Sequence, residues 1–539
     1  MNTQDWSLER DLGAGAAAGR SGGVSRRSFM GGMGAMMAGA ALAAAGATSA
    51  FADEADASAE AEEEAAVEEE AENEEESSAE AVEETEEAAE ETGSASSYLT
   101  LESPAGWTGT PEDLLALGTS TMPLEDLNAY RKAYIDAQTD YTQEDGTVIP
   151  ACYVKVRELI NTYGYGVGST YYDGIFDDLM NNFSEDDCQA FIDMPMGVAF
   201  TAYEMAAEED RDIDECTEIC ERLADAGYLR AFDGHRGRCY NQVNYVPGCL
   251  EYHLTEFYES DNALDVGVGG LDLANDLANS GAPTIVSVPI DASVTSDGTI
   301  LPFDDLKEKV KSKNICAIGP CFCRYRALAG SLGHENIPSF EDFATGEYED
   351  YFSEVCDQRV ETCIMTGDEA QYWIEQGMAR QITGEQAAEY LQRSVDDGFI
   401  LETTFEKESE GICSCHLDSC LYLQTWMSLG DAETVASANS FKQINHYTLE
   451  VDPDLCIACG LCVDRCPMHC ITINDDGWAE AGANCFRCGQ CAYVCPQDAR
   501  HLVLRDESEL APLPADMIEM NNILGAYRFE TGQLAIPEA

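Results

Sequence analysis

Cys456-Ile457-Ala458-Cys459-Gly460-Leu461-Cys462-Val463-Asp464-Arg465-Cys466-Pro467 returns, twenty-nine residues on, as Cys485-Phe486-Arg487-Cys488-Gly489-Gln490-Cys491-Ala492-Tyr493-Val494-Cys495-Pro496. Both copies read C-x2-C-x2-C-x3-C-P. Thiolates two residues apart on a tight loop wrap three corners of a cubane, while the fourth cysteine opens a helix aimed elsewhere and ligates the other cluster. Gly460 and Gly489 stand where each loop passes close to its cluster. A zinc ribbon asks for only four cysteines in two pairs, so eight at this spacing, with both prolines, point to iron and sulfide. The same register places Cys470 opposite Ala499, which predicts a small apolar helix position and not a ligand.

Residues 441–505 therefore resemble the bacterial two-[4Fe–4S] ferredoxins, built as a repeated βαβ unit. The resemblance implies that Cys456, Cys459, Cys462 and Cys495 hold one cluster, and Cys485, Cys488, Cys491 and Cys466 the other.

Upstream, residues 283–430 contain Cys316, Cys321, Cys323, Cys356, Cys363, Cys413, Cys415 and Cys420. A strand at 284–289, an amphipathic segment at 303–310 and helices at 369–377 and 384–397 are expected, the last ending at Gly398. The order of a C-x-C-R motif (Cys321, Cys323, Arg324), a C-x6-C pair (Cys356, Cys363), a Gln381–Ala387 helix start and a late cysteine group (Cys413, Cys415, Cys420) resembles poorly characterised bacterial iron–sulfur proteins ending in a two-cluster ferredoxin. Here the stretch between Cys323 and Cys356 is longer and the late group thinner, with Ser414 and His416 among its cysteines. Two thiolate sets are expected, Cys321/Cys323/Cys356/Cys363 and Cys413/Cys415/Cys420 with His416, holding a third [4Fe–4S] cluster or zinc. A C-x-C pair is expected to need a bent loop to chelate. Arg324 either damps cluster charge or, more commonly, pairs with an acidic neighbour. The alternative for these cysteines is buried apolar thiols or the disulfides of an exported protein.

Residues 145–260 read as helical. A capped start at Ser184, a short helix at 201–209, a helix over 215–226 stopped by Gly227 and an alternating hairpin from Cys239 give a winged-helix layout. DNA binding is excluded by charge. The recognition-helix candidate carries Glu215, Glu218 and Glu221, and the chain has 29 Lys+Arg against 102 Asp+Glu, a net charge of −73. A packing or docking role follows, and anionic lipid is an equally poor partner. Cys216 and Cys220 share a helix face and read as core; Cys239 and Cys249 flank the hairpin as a candidate disulfide.

The acidity begins early. Ser25-Arg26-Arg27-Ser28-Phe29-Met30, an apolar Gly/Ala/Met stretch and Ala50-Phe51-Ala52 read as a twin-arginine export signal. Residues 53–92 follow with 21 acidic residues, a composition that buries no core and repels itself. No later segment reads as a membrane span. Haem, nicotinamide and hydrolase motifs are missing: there is no C-x-x-C-H, HExxH or GxSxG, and Val266-Gly267-Val268-Gly269-Gly270 lacks the third glycine of a dinucleotide loop.

The chain is thus expected to be α+β: signal 1–52, disordered acidic spacer 53–97, helical winged-helix-like domain 98–262, cysteine-rich α/β middle domain 263–440, ferredoxin-like domain 441–505 and C-terminal tail 506–539. The function expected is that of an exported iron–sulfur electron-transfer protein, periplasmic or at the cell surface, meeting a protein redox partner with a basic docking face. Two other readings place an oxidoreductase centre in the middle domain, as in reductive dehalogenases, though no corrinoid pocket is evident, or make that domain a zinc-stabilised scaffold.

Overall fold

The structure, a computed structural model, describes residues 110–164, 166, 174–252, 283–294, 300–333, 336–352, 358–428 and 443–536. The twin-arginine stretch, the acidic spacer, the glycine run at 266–270 and Cys356 lie outside the described residues. No described helix is long and apolar enough to cross a membrane.

Helices α1 (Leu124–Asp136), α2 (Ala151–Asn161) and α3 (Glu185–Asp193) lead to strand β1 (Phe200–Thr201), α4 (Ala202–Glu209), α5 (Ile213–Asp225) and the hairpin β2 (Leu229–Gly234) and β3 (Gly237–Gln242). Ser184 and Thr201 close capping boxes with Asp187 and Glu204, satisfying amide groups that the first helical turn leaves unpaired. The three strands pair in the order β1-β3-β2. Cys216 and Cys220 are buried on the inner face of α5, Cys220 lying 3.5 Å from the Met205 sulfur. Cys239 and Cys249 are both free thiols, so the candidate disulfide is not formed.

The middle region is built on one six-stranded sheet. In chain order come β4 (Ile285–Ser287), α6 (Phe303–Lys311), β5 (Cys316–Pro320), α7 (Phe322–Leu332), β6 (Glu361–Thr366), α8 (Gly367–Glu375), β7 (Arg380–Ile382), α9 (Gly384–Asp396), β8 (Ile400–Thr404), β9 (Gly411–Cys415) and α10 (Leu421–Ser428). The strand order is β4-β8-β9-β6-β5-β7, and every pairing is antiparallel. An α/β region implies parallel strands; this one is α+β, because neighbouring strands need not follow one another through a helical crossover. The apolar core crosses the expected boundary near residue 262, joining Phe191, Leu223 and Tyr228 to Ala317, Tyr372 and Trp373. Buried Arg230 on β2 completes the join, reaching Glu369 at 3.3 Å and Glu410 at 3.1 Å.

Beyond it, β10 (Tyr447–Val451), α11 (Leu461–Arg465), β11 (Ile471–Ile473), β12 (Ala479–Ala481), α12 (Gln490–Tyr493) and β13 (Arg500–Leu504) carry the repeat. Strand β10 pairs with β13 and β11 with β12. The expected tail instead contains α13 (Met517–Glu530), with Met520 to Arg528 buried. It packs on α1, and Asn522 donates to the Gly197 carbonyl at 2.8 Å. Gly525 touches the Thr162 carbonyl so closely that a Cβ there would overlap it. The sequence signal is Met517, Met520, Ile523 and Leu524 at helical spacing after the Asp516 cap.

Candidate metal centres

The duplication persists in the backbone. Left-handed residues recur in register: Ala458 and Arg487, Gly460 and Gly489, His469 and Asp498. Each loop turns tightly enough to present its three cysteines on one side. One pocket is lined by Cys456, Cys459, Cys462 and Cys495, a second by Cys466, Cys485, Cys488 and Cys491. These are the two crossed sets implied by the sequence resemblance.

The surroundings suit thiolate-bound clusters. The Ala479 amide donates to Cys456 Sγ at 3.4 Å, the Ala499 amide to Cys495 Sγ at 3.3 Å and Arg500 Nη1 to Cys462 Sγ at 3.5 Å. Donors aimed at sulfur favour its anionic form and raise the potential of an attached cluster. Arg500 is buried, and among the described residues its Nε and Nη2 have no hydrogen-bond partner, which leaves a cation facing the thiolates.

Cys470 lies on the loop before β11 and not on a helix. Its sulfur is 3.6 Å from Cys466 Sγ, close enough for a thiol–thiolate hydrogen bond that holds the Cys466 thiol below its ordinary range. It lines the second pocket as a fifth sulfur. The register argument reads its place in the repeat correctly but misses this proximity, because the repeat says nothing about side-chain direction.

Among the described residues, Cys321, Cys323, Cys363, Cys413, Cys415 and Cys420 lie in one neighbourhood, while Cys316 is buried in a separate apolar cluster. Strand register sets Cys413 opposite Glu402 on β8, and the β9–β6 pairing, continued by one residue, sets it opposite Cys363. The neighbouring Cys363 and Cys415 thiols favour the thiolate form of Cys413, and the Cys323 and Cys415 thiols that of Cys420. Cys321 stands near both Cys413 and Cys420. No bent loop is needed for Cys413 and Cys415: residues two apart on a strand share a face. Cys321 caps α7, Cys323 lies in its first turn and Cys420 directly precedes α10. At both helix starts free amides favour thiolate, and the Tyr422 and Leu423 amides help hold Cys420 well below the ordinary thiol range.

His416 does not join the thiols. It pairs with Asp418 at 3.2 Å and stands edge-on to Phe399. Arg324 is buried and donates to the carbonyls of Arg359 (2.6 Å) and Ser414 (3.2 Å) and to the Thr362 hydroxyl, over the Phe399 ring. Its charge also bears on Cys321 and Cys413. Glu402 was missed from the sequence: its ligand oxygen lies within 4.8 Å of Cys415 and Cys420 sulfurs, and burial pushes its carboxyl well up. A lone acid inside the strand Ile-Leu-Glu-Thr-Thr was the available signal.

Residues 450–499 match the family model described as a 4Fe-4S dicluster domain. Over 30 residues the chain is 57% identical to a probable ferredoxin from Methanosarcina thermophila, a stretch amounting to 6% of this chain and 52% of that one. The chain thus spans about half the length of that curated relative. No solved structure matches it. Near its C-terminus the chain carries a segment similar to the 4Fe-4S dicluster domain of ferredoxins, with iron–sulfur clusters as the cofactor that similarity supports.

Proposed function

We propose that this chain is an exported iron–sulfur electron-transfer protein with two [4Fe–4S] clusters in the repeat and a further metal centre in the middle region. The observation that carries the reading is the pair of pockets, each lined by four cysteines drawn from both copies of the motif. When bound, such clusters take up and release single electrons without making bonds to a substrate. The chain's own residues fix the sulfurs, exclude water with apolar neighbours and set the local charge through Arg500 and the sulfur-directed amides.

The first loop meets the partner. Leu455, Ile457, Cys459 and Leu461 are exposed around it, and exposed Asp452, Asp454 and Asp464 form an acidic rim. An apolar centre within an acidic border suits a redox protein carrying a basic ring around its own exposed edge. The twin-arginine stretch supports export, and this route carries the folded protein, so clusters are built before transport. The helix–strand–helix–helix–hairpin unit at 185–242 acts as a winged-helix-like packing module; its face is acidic, and its hairpin is tied to the middle region through Arg230.

Anaerobic purification with iron and sulfide analysis tests the reading. At least about eight irons per chain are expected, together with two magnetically interacting [4Fe–4S] signals on reduction. Fewer irons without those signals after reconstitution would overturn it.

A further inference from the structure

Six described thiols of the middle region lie in one neighbourhood. Strand register sets Cys413 opposite Cys363, the Cys415 and Cys420 sulfurs lie within 4.8 Å of each other, and Arg324, which follows Cys323 at the start of α7, donates to the carbonyl of Ser414 between Cys413 and Cys415. A zinc ion holds four donors about 2.0–2.3 Å away at tetrahedral angles, so all its donors lie close to one another. Among the described residues no three of these sulfurs meet a mutual limit of 4.8 Å; the group that does is Glu402, Cys415 and Cys420. The sulfurs of the two ferredoxin pockets are likewise spread beyond that limit. In this respect the middle thiols resemble the ferredoxin sets and not a compact four-thiolate zinc site. Their open side is visible in the exposure: Cys413 is exposed and Cys321, Cys323 and Cys363 are partly so, while the flanking Arg324, Thr362, Glu402 and Ser414 are buried.

Charge and position agree with a redox role. The buried Arg324 cation and the free amides of two helix starts offset the thiolates. Helix α10, which Cys420 directly precedes, carries Trp426 to the second ferredoxin pocket. There its ring stands edge-on to Phe486 at 5.0 Å, and its Nε1 donates to the Asn484 carbonyl at 3.2 Å. Phe486 lies between Cys485 and Cys488. Cys415, Cys420, Trp426, Phe486, Cys488 and Cys491 belong to one apolar cluster.

We propose that Cys321, Cys323, Cys363, Cys413, Cys415 and Cys420 hold a single polynuclear iron–sulfur centre, in series with the second cluster of the repeat through Trp426 and Phe486. The inference rests on the reading of the repeat as a two-cluster carrier. One electron leaves the second cluster as it is reoxidised and enters the six-thiol centre as that is reduced, with no bond made or broken. A cubane uses four thiolates, so the array has two sulfurs to spare.

The test is metal and sulfide analysis of the full chain, purified and reconstituted without oxygen, with paramagnetic resonance of the reduced protein. Wild type is expected to hold about twelve irons with matching sulfide and no zinc. Cys413→Ala with Cys420→Ala should lower iron to about eight while leaving the two interacting signals of the repeat. Wild type with about eight irons and those signals intact overturns this inference and leaves the repeat reading standing. Stoichiometric zinc alongside about eight irons overturns it in the same way. Loss of the interacting signals in wild type removes both. The wild-type count decides even where the double variant fails to fold.

Discussion

Ile457 and Phe486 hold the same place in the two copies of the cysteine repeat, yet Ile457 is 61% exposed and Phe486 1%. Leu461 and Gln490, also equivalent, are 49% and 0% exposed. Around Gly460 a Cβ would meet open space, whereas at Gly489 it would overlap the Ile290 backbone. The Ile290 amide donates to the Cys488 carbonyl at 3.0 Å, and Gln490 donates to the carbonyls of Val395 (3.1 Å) and Phe399 (2.6 Å). Arg465 reaches the same α9 end through the Asp396 carbonyl at 2.5 Å, placing a cation at a helix C-terminus. A duplicated ligand motif therefore fixes how thiols surround a cluster, and unduplicated residues decide which cluster faces outward. The first copy is an outer half and the second an inner half.

The comparison breaks most sharply at its glycines. Gly489→Ala should cost about 3 kcal/mol, since it combines a left-handed backbone with an overlap that no side-chain movement relieves, and Gly460→Ala about 1 kcal/mol from the backbone alone. Thermal melting of the anaerobic protein checks this; equal losses would mean that the inner half is not seated on Ile290.

The outer half is sharpened by Ile457→Arg, which sets a cation at the centre of the docking face. Reduction of a small basic c-type cytochrome by the reduced protein, followed by stopped flow, should slow about tenfold with iron content unchanged. Tyr203→Arg, at an exposed site in the helical region, should leave the rate near wild type. An equal fall in both variants would move the docking face elsewhere.

The smallest effect is expected at Cys470. Cys470→Ala removes a sulfur from the second pocket but none of the eight motif cysteines, so iron content and the interacting signals should stay as in wild type. A loss of about four irons would make Cys470 a ligand.

Much of the site was legible because it is local. The eight motif cysteines, the Ser184 cap, the helix beginning after Thr383 and its end before Gly398 all depend on residues a few positions apart. The single middle group was not legible. Cys363 and Cys413 are brought together by a sheet order in which β9 lies beside β6, and sequence spacing carries no trace of that order. Cys356 lies outside the described residues, and of the other three expected partners the sheet sets Cys363 opposite Cys413, from the other expected set. Of the two roles open to Arg324, an acidic partner or damping of thiolate charge, the described contacts are to the Arg359 and Ser414 carbonyls and the Thr362 hydroxyl, with its charge felt at Cys321 and Cys413.

Helix α13 has a consequence for timing. Its buried face completes the packing of α1 and α2, which are synthesised hundreds of residues earlier. Arg528 donates to Asn161 at 3.2 Å, and the Gly164 amide reaches the Asn521 carbonyl at 3.0 Å. Helices α1 and α2 therefore wait with an unfilled seam until the stretch after the cysteine repeat has emerged. All the cysteines in the sequence precede α13, so closure of that seam comes after every one of them has been synthesised.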